Sequence, residues 1–103
     1  MKNEYLEDLY EQLQEDKFAA EYLKAILNDY EDFSDLALGL KDVINARGGV
    51  AKIAKAAGLE RSHLYKVLRG ETVPSIDTLN GICKAINLSL SIEPLSEEEA
   101  EAA

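Results

Sequence analysis

Apolar residues recur along most of this chain at intervals of three and four, the spacing that lines one face of an α-helix. Tyr5, Leu6, Leu9, Tyr10 and Leu13 make such a stripe on a short, very acidic first segment. The stripe breaks near Asp16, a residue suited to cap a second helix. The face of that helix is wide: Phe18, Tyr22, Leu23, Ile26, Leu27 and Tyr30. Ser34 is expected to cap a third helix with Asp35 in its first turn, and Leu36, Leu40, Val43 and Ile44 to point inward. Gly48-Gly49 should end it, as glycine just past a helix commonly does.

Three further helices follow. One runs from Val50 to Ala57, with Val50, Ile53, Ala54 and Ala57 on one side, and stops at Gly58. The next opens near Glu60 and runs to Arg69, with Leu64, Val67 and Leu68 apolar, and closes at Gly70. After Thr72, Val73 and Pro74, Ser75 is expected to cap a last long helix whose buried face is Ile76, Leu79, Ile82, Cys83 and Ile86. Beyond Asn87 the apolar period drops to two: Leu88, Leu90 and Ile92 alternate with Ser89, Ser91 and Glu93, the pattern of a short strand that Pro94 ends. The tail from Ser96 to Ala103 is polar and acidic, and is expected to be disordered or to fray as a weakly capped helix. The expectation is a single all-α domain over residues 1–103: a bundle of about five to six helices with a short C-terminal strand. An extra acidic helix occupies 1–15, N-terminal helices 17–47, a central unit 48–87, the strand 88–93 and the tail 95–103.

Charge changes the picture because it is unevenly spread. The net charge of −9 argues against nucleic acid, since a chain repelled by phosphate everywhere loses the counterion-release term that drives binding. Yet residues 1–35 hold 11 acids and 3 bases, residues 36–75 hold 3 acids and 7 bases plus His63, and residues 76–103 hold 6 acids and 1 base. A middle of +4 between flanks of −8 and −5 suggests segments with different partners. No apolar run approaches the roughly 20 residues a bilayer span needs. The start, with Lys2 followed by Glu4, Glu7 and Asp8, lacks the order of a signal peptide, and Cys83 is alone. A soluble cytoplasmic protein is expected.

The basic middle contains the chemistry. Two short helices that cross closely need a small residue at the crossing and a turn residue with positive φ four positions later; Ala54 and Gly58 meet both needs. Ile53, Ala57, Leu59, Leu64 and Val67 fill the shared seam. This is the pattern of a helix-turn-helix. What distinguishes it from an ordinary helical hairpin is the outer face of the second helix, where Arg61, Ser62, His63, Tyr65, Lys66 and Arg69 leave a basic, polar surface. The N-terminal part of such a helix meets base edges in the major groove of DNA. Glu60, Arg61, Ser62, Tyr65 and Lys66 are therefore the candidate base-reading residues, with Arg61 able to hold guanine by two hydrogen bonds. Lys52, Lys55, His63 and Arg69 are candidates for phosphates, which orient a protein without reading sequence.

On these residues the run "GVAKIAKAAGLERSHLYKVLRGETVPSIDTLNGICKAINLSLSIEP" resembles the addiction-module antidote proteins, HigA-like antitoxins with a lambda-repressor-like, Cro/C1-type helix-turn-helix. The stretch "AAEYLKAILNDYEDFSDLALGLKDVINARGG" is similar to the same family, so the resemblance covers residues 17–94. Its most specific parts are the run from Gly58 to Leu68 and the stretch from Pro74 to Leu79. The resemblance implies a type II toxin–antitoxin system: a basic RelE/HigB-like toxin as partner, a palindromic operator bound by a homodimer, and repression of the antitoxin's own operon. It does not account for residues 1–15.

A basic toxin would be drawn to an acidic surface, which makes Glu4, Glu7, Asp8, Glu11, Glu15 and Asp16 candidate toxin contacts; the bland reading is the solvated face of an amphipathic helix. Pairing Leu88–Ile92 across a two-fold axis would make a dimer with its reading helices about 34 Å apart, one DNA turn. The alternation equally fits a strand packed on its own chain. Two other functions compete: a stand-alone Cro/C1-type repressor without a toxin, and an acidic interaction module that has lost DNA binding. No nucleophile–base pair, phosphate-binding glycine loop or set of metal ligands stands out, so neither an enzyme nor a cofactor is expected.

Overall fold

The computed structural model describes residues 4–102 and is all-helical over them. Its seven helices are α1 (Glu4–Gln12), α2 (Asp16–Asn28), α3 (Phe33–Ala46), α4 (Val50–Ala57), α5 (Arg61–Leu68), α6 (Ile76–Ala85) and α7 (Glu97–Ala102). No helix among the described residues is long and apolar enough to cross a membrane.

The core is built around α3, which packs against α1, α2, α4 and α5, while α4 also lies on α6. Leu36, Ala37, Leu40, Val43 and Ile44 bury the inward faces of α3. They meet Leu13, Leu23, Ile53, Leu64, Val67, Ile82 and Ile86 in one continuous apolar cluster. Gly39 faces α2, with the side-chain ends of Ile26 and Leu23 packed over it.

Helix ends follow capping chemistry, though not always through the expected residue. Ser75 caps α6 by accepting from the Thr78 N–H at 3.1 Å. At α3 the cap is Asp32, which accepts from the Ser34 N–H at 2.8 Å and from the Ser34 hydroxyl, so Ser34 is a donor within the first turn. Asp32 serves the N–H groups two and three residues on, so the helix has already begun at Phe33 and Ser34 lies inside its first turn. At α2 the N-cap is Glu15, without a side-chain bond, because Asp16 is spent elsewhere. Ser96 accepts from the Glu99 N–H at the start of α7.

The strand expected over Leu88–Ile92 is absent; residues 88–96 are irregular. The reason lies at the end of α6. Asn87 takes φ 62°, the Asn87 N–H donates to Lys84 O at 3.0 Å and the Leu88 N–H to Cys83 O at 2.8 Å. These two bonds are a Schellman motif, whose second outer residue normally tucks an apolar side chain back onto the helix. Leu88 is packed on the core for that reason, while Leu90 is 38% exposed and Ile92 fully so. The alternation thus joins one cap residue to two exposed ones.

Three expected inward positions also face solvent: Leu27 (47%), Tyr30 (46%) and Ile76 (70%).

Candidate nucleic-acid interface

The basic unit rests on the turn between α4 and α5. Gly58 sits in the left-handed region at φ 69°, ψ 29°. Its N–H donates to Lys55 O at 3.2 Å, and the Leu59 N–H donates to Ala54 O at 2.9 Å, the same Schellman pattern. A Cβ at Gly58 would meet nothing within 4 Å, so glycine is required by the backbone angle alone. Ala54 is buried, as a close crossing demands, and Ile53, Leu64 and Val67 close the seam beneath. Leu68 adds to it, so α5 is anchored along one side only.

The opposite side of α5 is open. Arg61, Ser62, His63, Tyr65, Lys66 and Arg69 are all exposed, as is the N-cap Glu60. On a helix, Arg61 with Tyr65 and Ser62 with Lys66 are i, i+4 neighbours, so these four form one patch about one turn, or 5–6 Å, long. Lys52 and Lys55 are exposed on α4. Arg69 is less free than the others: its guanidinium donates to Glu71 Oε2 at 3.0 Å through Nε, with Nη2 2.8 Å away.

Helix ends reinforce the local potential. Every helix except α4 and α5 has an acid in its first turn, and neither α4 nor α5 has a side-chain cap. Their first N–H groups and positive dipole ends are left for an outside anion, tempered at α5 by the N-cap Glu60.

The sequence model of the family described as "Probable addiction module antidote protein" matches residues 4–94, which include the whole of this unit. The chain belongs to that family. An antidote answers a toxin, so membership implies a toxin partner for the chain. An uncharacterized protein of Haemophilus influenzae is 36% identical to this antidote-family chain over 87 residues, 84% of the chain and 87% of that protein. No solved structure matches it.

In this family member the acidic candidates divide. Glu4, Glu7, Asp8, Glu11 and Glu15 are exposed on and after α1. Asp16 is exposed too, but its carboxylate is tied to other elements. It accepts from Arg47 Nη1 at 2.5 Å and from Asn87 Nδ2 at 2.6 Å. The Arg47 hydrogen bond, then the Asn87 one, keeps the Asp16 carboxyl below its ordinary pKa. Asp32 is likewise lowered by the Ser34 hydroxyl and N–H.

Sequence reasoning missed Arg47. It follows α3, and its side chain is only 12% exposed. Its Nε donates to Leu13 O at 3.0 Å and its Nη1 to Ile86 O at 2.9 Å. One guanidinium thereby ties the chain just past α1, the start of α2 and the end of α6. Of the bases in residues 36–75, Arg47 is therefore internal, and Lys52, Lys55, Arg61 and Lys66 are the exposed cations of the α4–α5 unit without an ion pair among the described residues. Tyr22 was also missed as a polar partner: its hydroxyl donates to Asp42 Oδ2 at 2.7 Å, and burial, then this bond, pushes its pKa well up. Burial likewise raises the Cys83 thiol, which lies among core residues.

Proposed function

We propose that α4 and α5 form a Cro/C1-type helix-turn-helix and that the chain is a HigA-like antitoxin that represses its own operon. The observation that carries this reading is the exposed basic and polar face of α5, held outward by the Gly58 turn. Arg61 takes guanine by a bidentate pair, Ser62 reaches either strand's edges, Glu60 accepts from cytosine, and Tyr65 and Lys66 contact bases one turn further along. Lys52, Lys55, His63 and Arg69 hold phosphates, with the uncapped N-terminus of α4 aimed at the backbone. Arg69 must first give up Glu71, which makes it the weakest of the four.

The operator is palindromic and the reader a homodimer, with the two α5 helices about 34 Å apart. Val73 (71% exposed), on the connection from α5 to α6, and Ile76 (70%), the first residue of α6, support a contact between copies there. The partner is a RelE/HigB-like toxin; the exposed acids Glu4, Glu7, Asp8, Glu11 and Glu15 speed its encounter by long-range attraction, which does not fix where it docks. The chain acts in the cytoplasm by binding, without catalysis or a cofactor.

The test compares two alanine variants on operator DNA and on operators with single base-pair changes. Arg61→Ala should cost about 1–3 kcal/mol and relax preference at one base pair, whereas Lys52→Ala should weaken all sequences alike and reduce the salt slope by about 1. An equal, sequence-independent loss for both would refute the assignment of roles.

A further inference from the structure

A second surface is built for a macromolecule and shares no residue with α4 or α5. A groove of about 330 Å³ runs between α2 and α6 beneath the irregular segment after Asn87. Its floor is Leu23, Leu36, Leu40 and Cys83; Leu27 and Leu90 form exposed lips. Past Leu27 it continues to Tyr30, again half exposed. Clustered, half-exposed apolar side chains of this kind mark an interaction site, whereas scattered ones need no explanation.

Charge names the occupant's chemistry. The lining residue Asn28 leads along the chain into Asp29, Glu31 and Asp32. The lining residue Glu93 leads into the four acids of α7, Glu97, Glu98, Glu99 and Glu101. The cation in the lining, Lys24, is already paired with Glu93 at 3.3 Å, both side chains more than half exposed. The groove is thus apolar, its one cation is neutralised, and both chain segments that leave it are acidic. Two copies meeting through it about a two-fold axis would bring these acids against one another, which costs affinity. A partner carrying apolar anchors and flanking lysines or arginines would gain at both points. The segment from Ser89 to Leu95 also makes no backbone hydrogen bond to the described residues, so its N–H and C=O groups are free to pair with an incoming chain.

We propose that this groove, rather than α1, is where the toxin docks, receiving a basic polypeptide segment with apolar side chains. The inference rests on the antitoxin reading and deepens it. Because no lining residue belongs to α4 or α5, toxin and operator bind at the same time.

The test titrates the full-length chain with the protein encoded by the reading frame beside its gene. Leu27→Lys and Leu90→Lys change half-exposed positions and should leave the thermal melt and operator binding unchanged. Each should weaken toxin binding about 30-fold or more, the scale of an interface hot spot. A variant with Glu4, Glu7 and Glu11 all changed to glutamine should weaken equilibrium binding less than threefold. Loss with the α1 variant and none with the groove variants would overturn the groove proposal alone. A groove variant that turned a dimer into a monomer would show a second copy there and would also overturn it. No binding by the unmodified chain would overturn the antitoxin reading and the groove with it.

Discussion

Replacing Arg47 with methionine keeps the apolar stem and removes the guanidinium. Three hydrogen bonds disappear, to Leu13 O at 3.0 Å, to Ile86 O at 2.9 Å and to Asp16 Oδ1 at 2.5 Å. A hydrogen bond from a charged donor is worth about 1.5–3 kcal/mol. The Asp16 ion pair adds little, since that carboxylate is half exposed. Some desolvation is recovered, because Arg47 Nη2 is buried without a partner. The net loss should be about 2–4 kcal/mol, against a total of roughly 5–15 kcal/mol for a domain of this length. At about 4–8 °C per kcal/mol the melting temperature should fall by about 8–32 °C. Urea denaturation followed by circular dichroism measures the loss, and hydrogen exchange locates it. Protection in α1 should fall most, because its link to α6 passes through this side chain. Arg47→Lys should lie between, as an ammonium reaches fewer of the partners. A loss below about 0.5 kcal/mol, within the range of an ordinary surface substitution, would refute the clasp.

Other outcomes follow from the same packing. Gly58→Ala pays about 1–2 kcal/mol for a left-handed alanine and regains about 0.4–1 kcal/mol from a stiffer unfolded chain, so a small net destabilisation is expected in a melt; Gly58→Asn should cost less, and a stabilised alanine variant would contradict the turn. Asp16 and Asp32 have folded pKa values below the ordinary carboxylate value of 3.8, so their contribution is present above that value and is lost as pH falls through the lower folded ones. Melts across pH 7 to 2 should show that decline, and Asp16→Asn should flatten it; an unchanged profile would argue against the Arg47 pair. Tyr22→Phe strands Asp42 of a donor and should cost about 1–2 kcal/mol with little change in operator affinity; a neutral result would mean that solvent replaces the bond freely.

Much of the fold was legible because its signals are local. The three-and-four spacing marks Leu36, Leu40, Val43 and Ile44 as a buried face, and Gly58 and Ser75 act within four residues of themselves. The bounds Val50 to Ala57 came out as expected for that reason. Failures arose where the deciding contact is distant or contested. Leu88, Leu90 and Ile92 alternate, but a strand needs a neighbour and a cap needed Leu88 first. Ser34 and Asp32 are both capping residues, and the helix begins at Phe33, which leaves the cap to Asp32. Periodicity places Leu27, Tyr30 and Ile76 on apolar stripes without saying whether another element covers them. Arg47 reaches carbonyls 34 and 39 residues away in the chain, and no local pattern encodes that. In the basic unit, the exposed face of α5 was readable as the residues left over from the Leu64–Val67–Leu68 seam. The removal of Arg47 from the cation count, and the pairing of Arg69 with Glu71, were not.

The most direct test of the account is a binding titration of the intact chain against its own upstream DNA over a series of salt concentrations, with scrambled DNA of equal length beside it. With Lys52, Lys55 and Arg69 as the phosphate-facing cations, the upstream fragment should bind far more tightly. The logarithm of its affinity should fall with log salt at a slope of roughly −2 to −3 per copy. Equal affinity for both DNAs at every salt, from a folded protein, would contradict the claim that α5 reads sequence.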